Sequence, residues 1–136
     1  MRVIAAVLAS AAVSVGLMGL AGCTGTEGRA RTAEAAALAF VAELRGPDLG
    51  RACEALAPST REELEEEGGC VRALTALRLG PAAAGAVRTE VYGSQARVVH
   101  GDENIYLASF PDGWKITAAG CTPRPGRPDR CVVKGG

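Results

Sequence analysis

The sequence predicts an α+β fold in which N-terminal helices pack on an antiparallel sheet of about four strands. In the first half of the chain, apolar residues recur at three- and four-residue steps, as they do along one face of a helix. In the second half they recur at every second residue, and turns that contain glycine or proline separate the segments. Helices followed by consecutive short strands are typical of α+β domains. With 136 residues, the chain is long enough for one such domain and one hydrophobic core.

Residues 1–22 have the features of a bacterial secretion signal. Arg2 gives a positive start, and an uncharged apolar stretch follows over residues 3–20. The segment LAGC at residues 20–23 is similar to a lipobox, so we expect cleavage before Cys23 and acylation of its thiol. Two acyl chains would then hold the mature protein on the extracytoplasmic face of the cell membrane. An uncleaved transmembrane helix and cleavage without lipid are the alternatives.

The predicted domain organisation follows from this signal. Residues 23–31 are small, polar and aperiodic, so we interpret them as a flexible tether that begins with the lipidated Cys23. Residues 32–136 form the single α+β domain. The membrane is therefore an expected partner of the chain through its lipid anchor.

One apolar stripe predicts each of the first two helices. The first begins at Thr32 and ends before Gly46 and Pro47, because proline cannot continue a helix. Asp48 is a candidate N-cap for the second helix, and Pro58 is expected to stop it. The stripes consist of Ala33, Ala37, Phe40, Val41 and Leu44 in the first helix and of Leu49, Ala52, Cys53 and Leu56 in the second.

Two further helical segments follow. Ser59 and Glu62 have the S-x-x-E spacing of a capping box, which predicts a short acidic helix through Glu67. We interpret its run of glutamates as a solvated face rather than a cation site. After the glycines at 68 and 69, a fourth amphipathic segment contains Cys70, Ala73, Leu74 and Leu77.

Four strands are predicted in the second half. They cover residues 87–92, 95–100, 105–110 and 114–119. Gly93 and Ser94 form a two-residue hairpin turn, while residues 101–104 and 111–113 form the next two turns. Residues 122–128 contain too much proline for regular structure, so we expect a surface loop there.

The cysteines predict a disulfide framework. If Cys23 carries lipid, four cysteines remain, and an even number in a small exported domain indicates disulfides. Three pairings are possible. We favour Cys53–Cys70, which joins two apolar helix stripes across a short connection, and Cys121–Cys131, which the proline-rich loop brings together. No C-x-x-C motif indicates zinc binding or redox catalysis.

The charge balance and the missing motifs exclude several function classes. The chain has 15 basic and 15 acidic residues, which argues against a nucleic-acid partner. The sequence contains no P-loop, G-x-S-x-G or H-E-x-x-H pattern. His100 is the only histidine, and we interpret it as a solvated residue at a strand end rather than a general base. We therefore predict no metal centre, no cofactor and no catalytic residue.

Three segments resemble a known group of proteins. They are AALAF at residues 36–40, Cys53 with LAPST at residues 56–60, and GWKITAAGC at residues 113–121. They look like small actinobacterial lipoproteins of unassigned function, and the helix-then-sheet order is similar to the cystatin-like roll of the NTF2-like superfamily. The resemblance implies a curved sheet and raises the expectation of a pocket. If the sheet curves around the helix, the candidate pocket residues are Phe40, Tyr92, His100, Tyr106 and Phe110.

Two functions follow as hypotheses. The first is a non-catalytic module of the cell envelope that binds a small apolar ligand or a partner protein. The alternative is a small NTF2-like enzyme that pairs Asp102 or His100 with Tyr106 or Tyr92. A purely structural role is the third possibility. The fold alone does not distinguish these three functions.

Overall fold

The computed structural model describes residues 24–80 and 82–135, so the predicted signal and Cys23 lie outside the described residues. The described chain has an α+β fold with four helices followed by an open five-stranded antiparallel sheet. The helices are α1 (Thr24–Arg45), α2 (Leu49–Glu54), α3 (Pro58–Glu66) and α4 (Cys70–Leu79). The strands are β1 (Val87–Tyr92), β2 (Gln95–His100), β3 (Glu103–Phe110), β4 (Gly113–Arg124) and β5 (Arg127–Lys134). A chain that begins at Thr24 therefore contains all of these elements.

The sheet is a simple meander in the order β1-β2-β3-β4-β5. The turn at Gly93 and Ser94 is confirmed, because Tyr92 pairs with Gln95 and Gly93 has the positive φ of 57° that such a turn needs. The helices cover one face of the sheet, and the other face carries the alternate residues of each strand.

The fifth strand corrects the prediction of a surface loop at residues 122–128. β4 continues to Arg124, the chain turns at Pro125 and Gly126, and β5 returns antiparallel to β4. Proline is tolerated here because Pro123 lies beyond the part of β4 that pairs with β3, and β5 is an edge strand. The proline content of this segment led to the prediction of a loop, whereas the segment belongs to a hairpin whose two strands are joined by a disulfide.

The start of α1 differs from the predicted tether. The structure describes residues 24–31 as the first turns of α1 rather than as a flexible segment. Contacts with the sheet explain this difference, since the Arg29 guanidinium donates to the carbonyl of Gly93 at 2.6 Å and lies 5.3 Å from the centre of the Trp114 ring. The Trp114 indole N–H in turn donates to the Thr32 hydroxyl at 3.1 Å.

The start of α3 corrects the predicted capping box. Pro58 does not merely stop α2 but occupies the first turn of α3, and the N-cap is Ala57, which makes no side-chain cap hydrogen bond. The reason is tertiary, because Leu56 forms a bridge with Ile116 of β4, and the N–H of Ala57 donates to the Ile116 carbonyl at 2.7 Å. The predicted N-cap at Asp48 is confirmed, and its carboxylate accepts from the N–H of Gly50 at 2.9 Å.

The core lies between the helices and the sheet. It combines the stripes of α1, α2 and α4 with the inward-facing residues of β2 to β5. Burying such side chains contributes about 1.5–3 kcal/mol each relative to leaving them in water. The largest apolar side chains with almost no exposed surface are Phe40, Leu74, Val98, Leu107, Ile116 and Val133.

Both favoured disulfides are confirmed. Cys53–Cys70 joins α2 to α4 with a Cα–Cα distance of 6.1 Å. Cys121–Cys131 joins directly opposed residues of β4 and β5 at a Cα–Cα distance of 3.9 Å. None of the described helices is both long enough and apolar enough to cross a bilayer.

Candidate functional site

The best candidate site is a cavity between α1, α4 and the sheet. Its volume is about 290 Å³, and the 82–83 segment borders it where the chain enters the sheet. The lining is mainly apolar because the cavity lies where the helix stripes and the inward face of the sheet diverge. The apolar residues of its lining are Phe40, Val41, Leu44, Ala76, Leu77, Ala82, Ala83, Ile105, Ala119 and Val132.

His100 is one of the polar residues that line this cavity. Strand alternation places its side chain on the same face of β2 as the buried Ala96 and Val98. The Nδ1 atom of His100 is buried and has no hydrogen-bond partner among the described residues. A buried polar atom without a partner costs about 1–3 kcal/mol, so a polar group that reached this nitrogen would recover part of that cost. The prediction that His100 is a solvated residue is therefore wrong for the Nδ1 atom, which is buried.

Charged residues mark the mouth of the cavity. Arg45 and Arg78 line it from the last turns of α1 and α4, and both are exposed. Arg78 donates to the carbonyls of Leu44 and Gly46 at 2.7 and 2.6 Å, so it ties the end of α1 to α4. Glu103, directly opposite His100 on β3, is the third charged residue of the lining.

Gly120 allows α4 to approach the sheet at the cavity. Its φ is +63°, and a Cβ atom there would clash with Cδ2 of Leu77 and lie 3.2 Å from Cβ of Val132. Gly120, Leu77 and Val132 were not predicted to belong to a site. The glycine in AAGC was the only sequence signal for this position, and its positive φ is seen only in the structure.

The predicted pocket residues do not all come together. The structure places Phe40 and His100 in the cavity but puts Tyr92 and Tyr106 on the opposite face of the sheet. Phe110 lies in a separate cleft with Leu56 and Lys115. Strand alternation is the reason, since Tyr92 and Tyr106 follow the inward-facing Val91 and Ile105 by one residue.

On that opposite face, two carboxylates are held by hydrogen bonds. Glu90 accepts from the Tyr92 hydroxyl at 2.8 Å and from Nε of Arg97 at 3.0 Å, and these bonds lower its pKa. Burial, and then the hydrogen bond to Asp129, raise the pKa of Tyr106 above its ordinary value.

Asp129 is the second of these carboxylates. It accepts from the side-chain amide of Asn104 and from the Tyr106 hydroxyl, both at 2.7 Å. The amide of Asn104, followed by the Tyr106 hydroxyl, holds the pKa of Asp129 below its ordinary value. These hydrogen bonds link β3 to β5. We therefore infer that they stabilise the sheet and take no part in the cavity.

The acid–base pairs of the enzyme alternative are separated in space. Tyr92 and Tyr106 lie across the sheet from His100, and Asp102 is exposed in the turn between β2 and β3. Over residues 24–80 and 82–135, no group of three or more histidine, cysteine, aspartate or glutamate side chains is arranged to hold a metal ion.

Comparison of the chain with protein-family models, with curated proteins and with solved structures finds no match. The function is therefore argued from the cavity and the sequence.

Proposed function

We propose that this protein is a non-catalytic binding module of the cell envelope that takes a small apolar ligand with one polar group into the cavity between α1, α4 and the sheet. One observation carries the proposal: His100 lines a largely apolar cavity, and its buried Nδ1 atom has no partner among the described residues. Binding sites for small molecules commonly combine an apolar lining with a few convergent polar groups.

The cavity volume bounds the size of the ligand. An engineered apolar cavity of about 150 Å³ stays dry and takes up benzene. At about 290 Å³, the present cavity has room for a longer molecule, such as an eight-carbon chain. Placing the polar group of such a molecule at His100 would satisfy the ring nitrogen, while Phe40 and Leu77 would contact the chain.

We also propose that the module is anchored to the extracytoplasmic face of the membrane through lipid on Cys23. The charged start, the apolar stretch and the lipobox-like LAGC support this proposal. The two disulfides of the structure support an oxidising compartment, because such bonds are rare in reducing ones. We further propose that the domain is an NTF2-like roll, on the grounds of its helix-then-sheet order and the three segments that resemble actinobacterial lipoproteins.

The test of the ligand proposal is an NMR titration of the chain that begins at Thr24. We expect 1-octanol to shift the backbone amide signals of Ala119, Gly120 and Val132. The amide signal of Arg97, whose side chain lies on the opposite face, should stay unchanged. Replacing His100 with Phe keeps an aromatic ring but removes the ring nitrogens, so 1-octanol should bind about tenfold more weakly, corresponding to one lost hydrogen bond.

Two exposed positions on α4 provide a matched pair for this titration. Ala76 lines the cavity, whereas the exposed Val71 does not. Ala76→Trp should therefore abolish the shifts by filling the cavity mouth, and Val71→Trp should leave them intact. Equal shifts in both variants, or octanol shifts spread over the whole surface, would contradict the proposed site.

A further inference from the structure

Strand β1 forms one edge of the sheet, and its outer backbone groups have no partner among the described residues. The N–H of Gly101 donates to the carbonyl of Ala86 at 3.2 Å. In an antiparallel pair every second residue bonds to the neighbouring strand, so this bond identifies which residues of β1 bond to β2. Arg88 and Glu90 therefore direct their backbone groups toward β2. Val87, Thr89 and Val91 direct theirs outward, away from the sheet.

The outer edge of β1 is complementary to itself. If a second copy pairs antiparallel with Thr89 on the twofold axis, Val87 lies opposite Val91 of the second copy. Arg88 then lies opposite Glu90 of the second copy, in a pair without backbone hydrogen bonds, where side chains are closest. The registers centred on Arg88 or on Glu90 would instead place like charges opposite each other.

The side chains on this edge are positioned for such a contact. The Arg88 guanidinium already lies 3.6 Å from the Glu90 carboxylate of its own chain, and 70% of its side chain is exposed. On the helix side, Thr89 donates to the Glu34 carboxylate at 2.8 Å. Leu38 lies one turn further along the same face of α1 and is 37% exposed, so it adds apolar surface beside the edge.

We infer that β1 is a homodimerisation edge, which joins two copies of this chain into one continuous antiparallel sheet through Thr89. The occupant is a second copy because charge complementarity and register select it. Unpaired edge strands readily accept another strand. The same axis brings the Glu34 carboxylates of the two copies toward each other, and their repulsion weakens the dimer. This inference does not depend on a ligand in the cavity.

Hydrogen exchange of the chain that begins at Thr24, measured by NMR from micromolar to millimolar concentration, tests the pairing. The N–H groups of Val87, Thr89 and Val91 should become protected as concentration rises. Those of Arg88 and Glu90 should be protected throughout, because they already bond to β2. A monomer at millimolar concentration by sedimentation, or a concentration-dependent gain in protection that is not confined to Val87, Thr89 and Val91, would overturn the inference.

Charge variants test the register. Arg88→Glu places like charges opposite each other at both symmetric positions, so dimerisation should weaken about tenfold or more. Glu34→Gln should strengthen it. Arg130→Glu is the matched control, since Arg130 is exposed on β5 at the other edge of the sheet. A circular-dichroism melt confirms that each variant is folded, and equal weakening by Arg88→Glu and Arg130→Glu would contradict the register.

Discussion

At the scale of single residues, Gly120 sets the distance between α4 and the sheet. Gly120→Ala should destabilise the protein by about 2 kcal/mol, because it adds both a left-handed backbone penalty and a clash with Leu77. Gly126 has a similar φ of +65°, but a Cβ atom there meets nothing within 4 Å. Gly126→Ala should therefore cost only about 1 kcal/mol. Urea unfolding measures both, and equal losses would show that the contact with Leu77 is unimportant.

Asp129 gives a prediction about pH. Hydrogen bonds from Asn104 and Tyr106 lower its pKa in the folded state below the ordinary value of 3.8. The folded protein thus binds fewer protons than the unfolded chain, so the stabilisation is present above the ordinary pKa and is lost as the pH falls through the lowered one. In urea unfolding between about pH 2 and pH 6, Asp129→Asn should lose less stability on acidification than the wild type. Parallel profiles would contradict this assignment.

At the scale of elements, the second disulfide is expected to stabilise mainly β5. It closes a hairpin with a sequence separation of 10, and β5 is an edge strand that pairs only with β4. Replacing Cys121 and Cys131 with alanine should destabilise the protein by about 3 kcal/mol in the chain-entropy view. Amide exchange should accelerate most in β5 and least in β2 and β3. A uniform acceleration over the whole sheet would show that the bridge supports the entire fold.

The elements also show what sequence patterns can predict. Apolar stripes were sufficient to predict α1, α2 and α4, and alternation was sufficient to predict β1 to β4. Each of these elements buries one regular face, which the sequence pattern shows. The patterns failed where tertiary contacts decide. Arg29 and Trp114 extend α1 backward into a segment of tether-like composition. The β4–β5 pairing makes a strand of a proline-rich segment, and the bridge from Leu56 to Ile116 places Pro58 at a helix start.

At the scale of the whole molecule, the site was only partly predictable. Phe40 and His100 follow from their stripes, and both line the cavity. Tyr92 and Tyr106 were wrongly grouped with them, although the alternation of β1 and β3 already assigned them to the other face. The contribution of Val132 could not be predicted, because it depends on a strand that the sequence did not reveal.

We propose that the chain is exported, joined by two disulfides and anchored by lipid at Cys23. The intact mass of the protein, extracted from the membranes of a bacterium that expresses the full chain, tests this proposal. We expect the mass of residues 23–136 with an acylated glyceryl group on Cys23 and four hydrogens fewer than the reduced chain, for the two disulfides. A full-length chain that retains Met1, or one with reduced cysteines, would contradict the account.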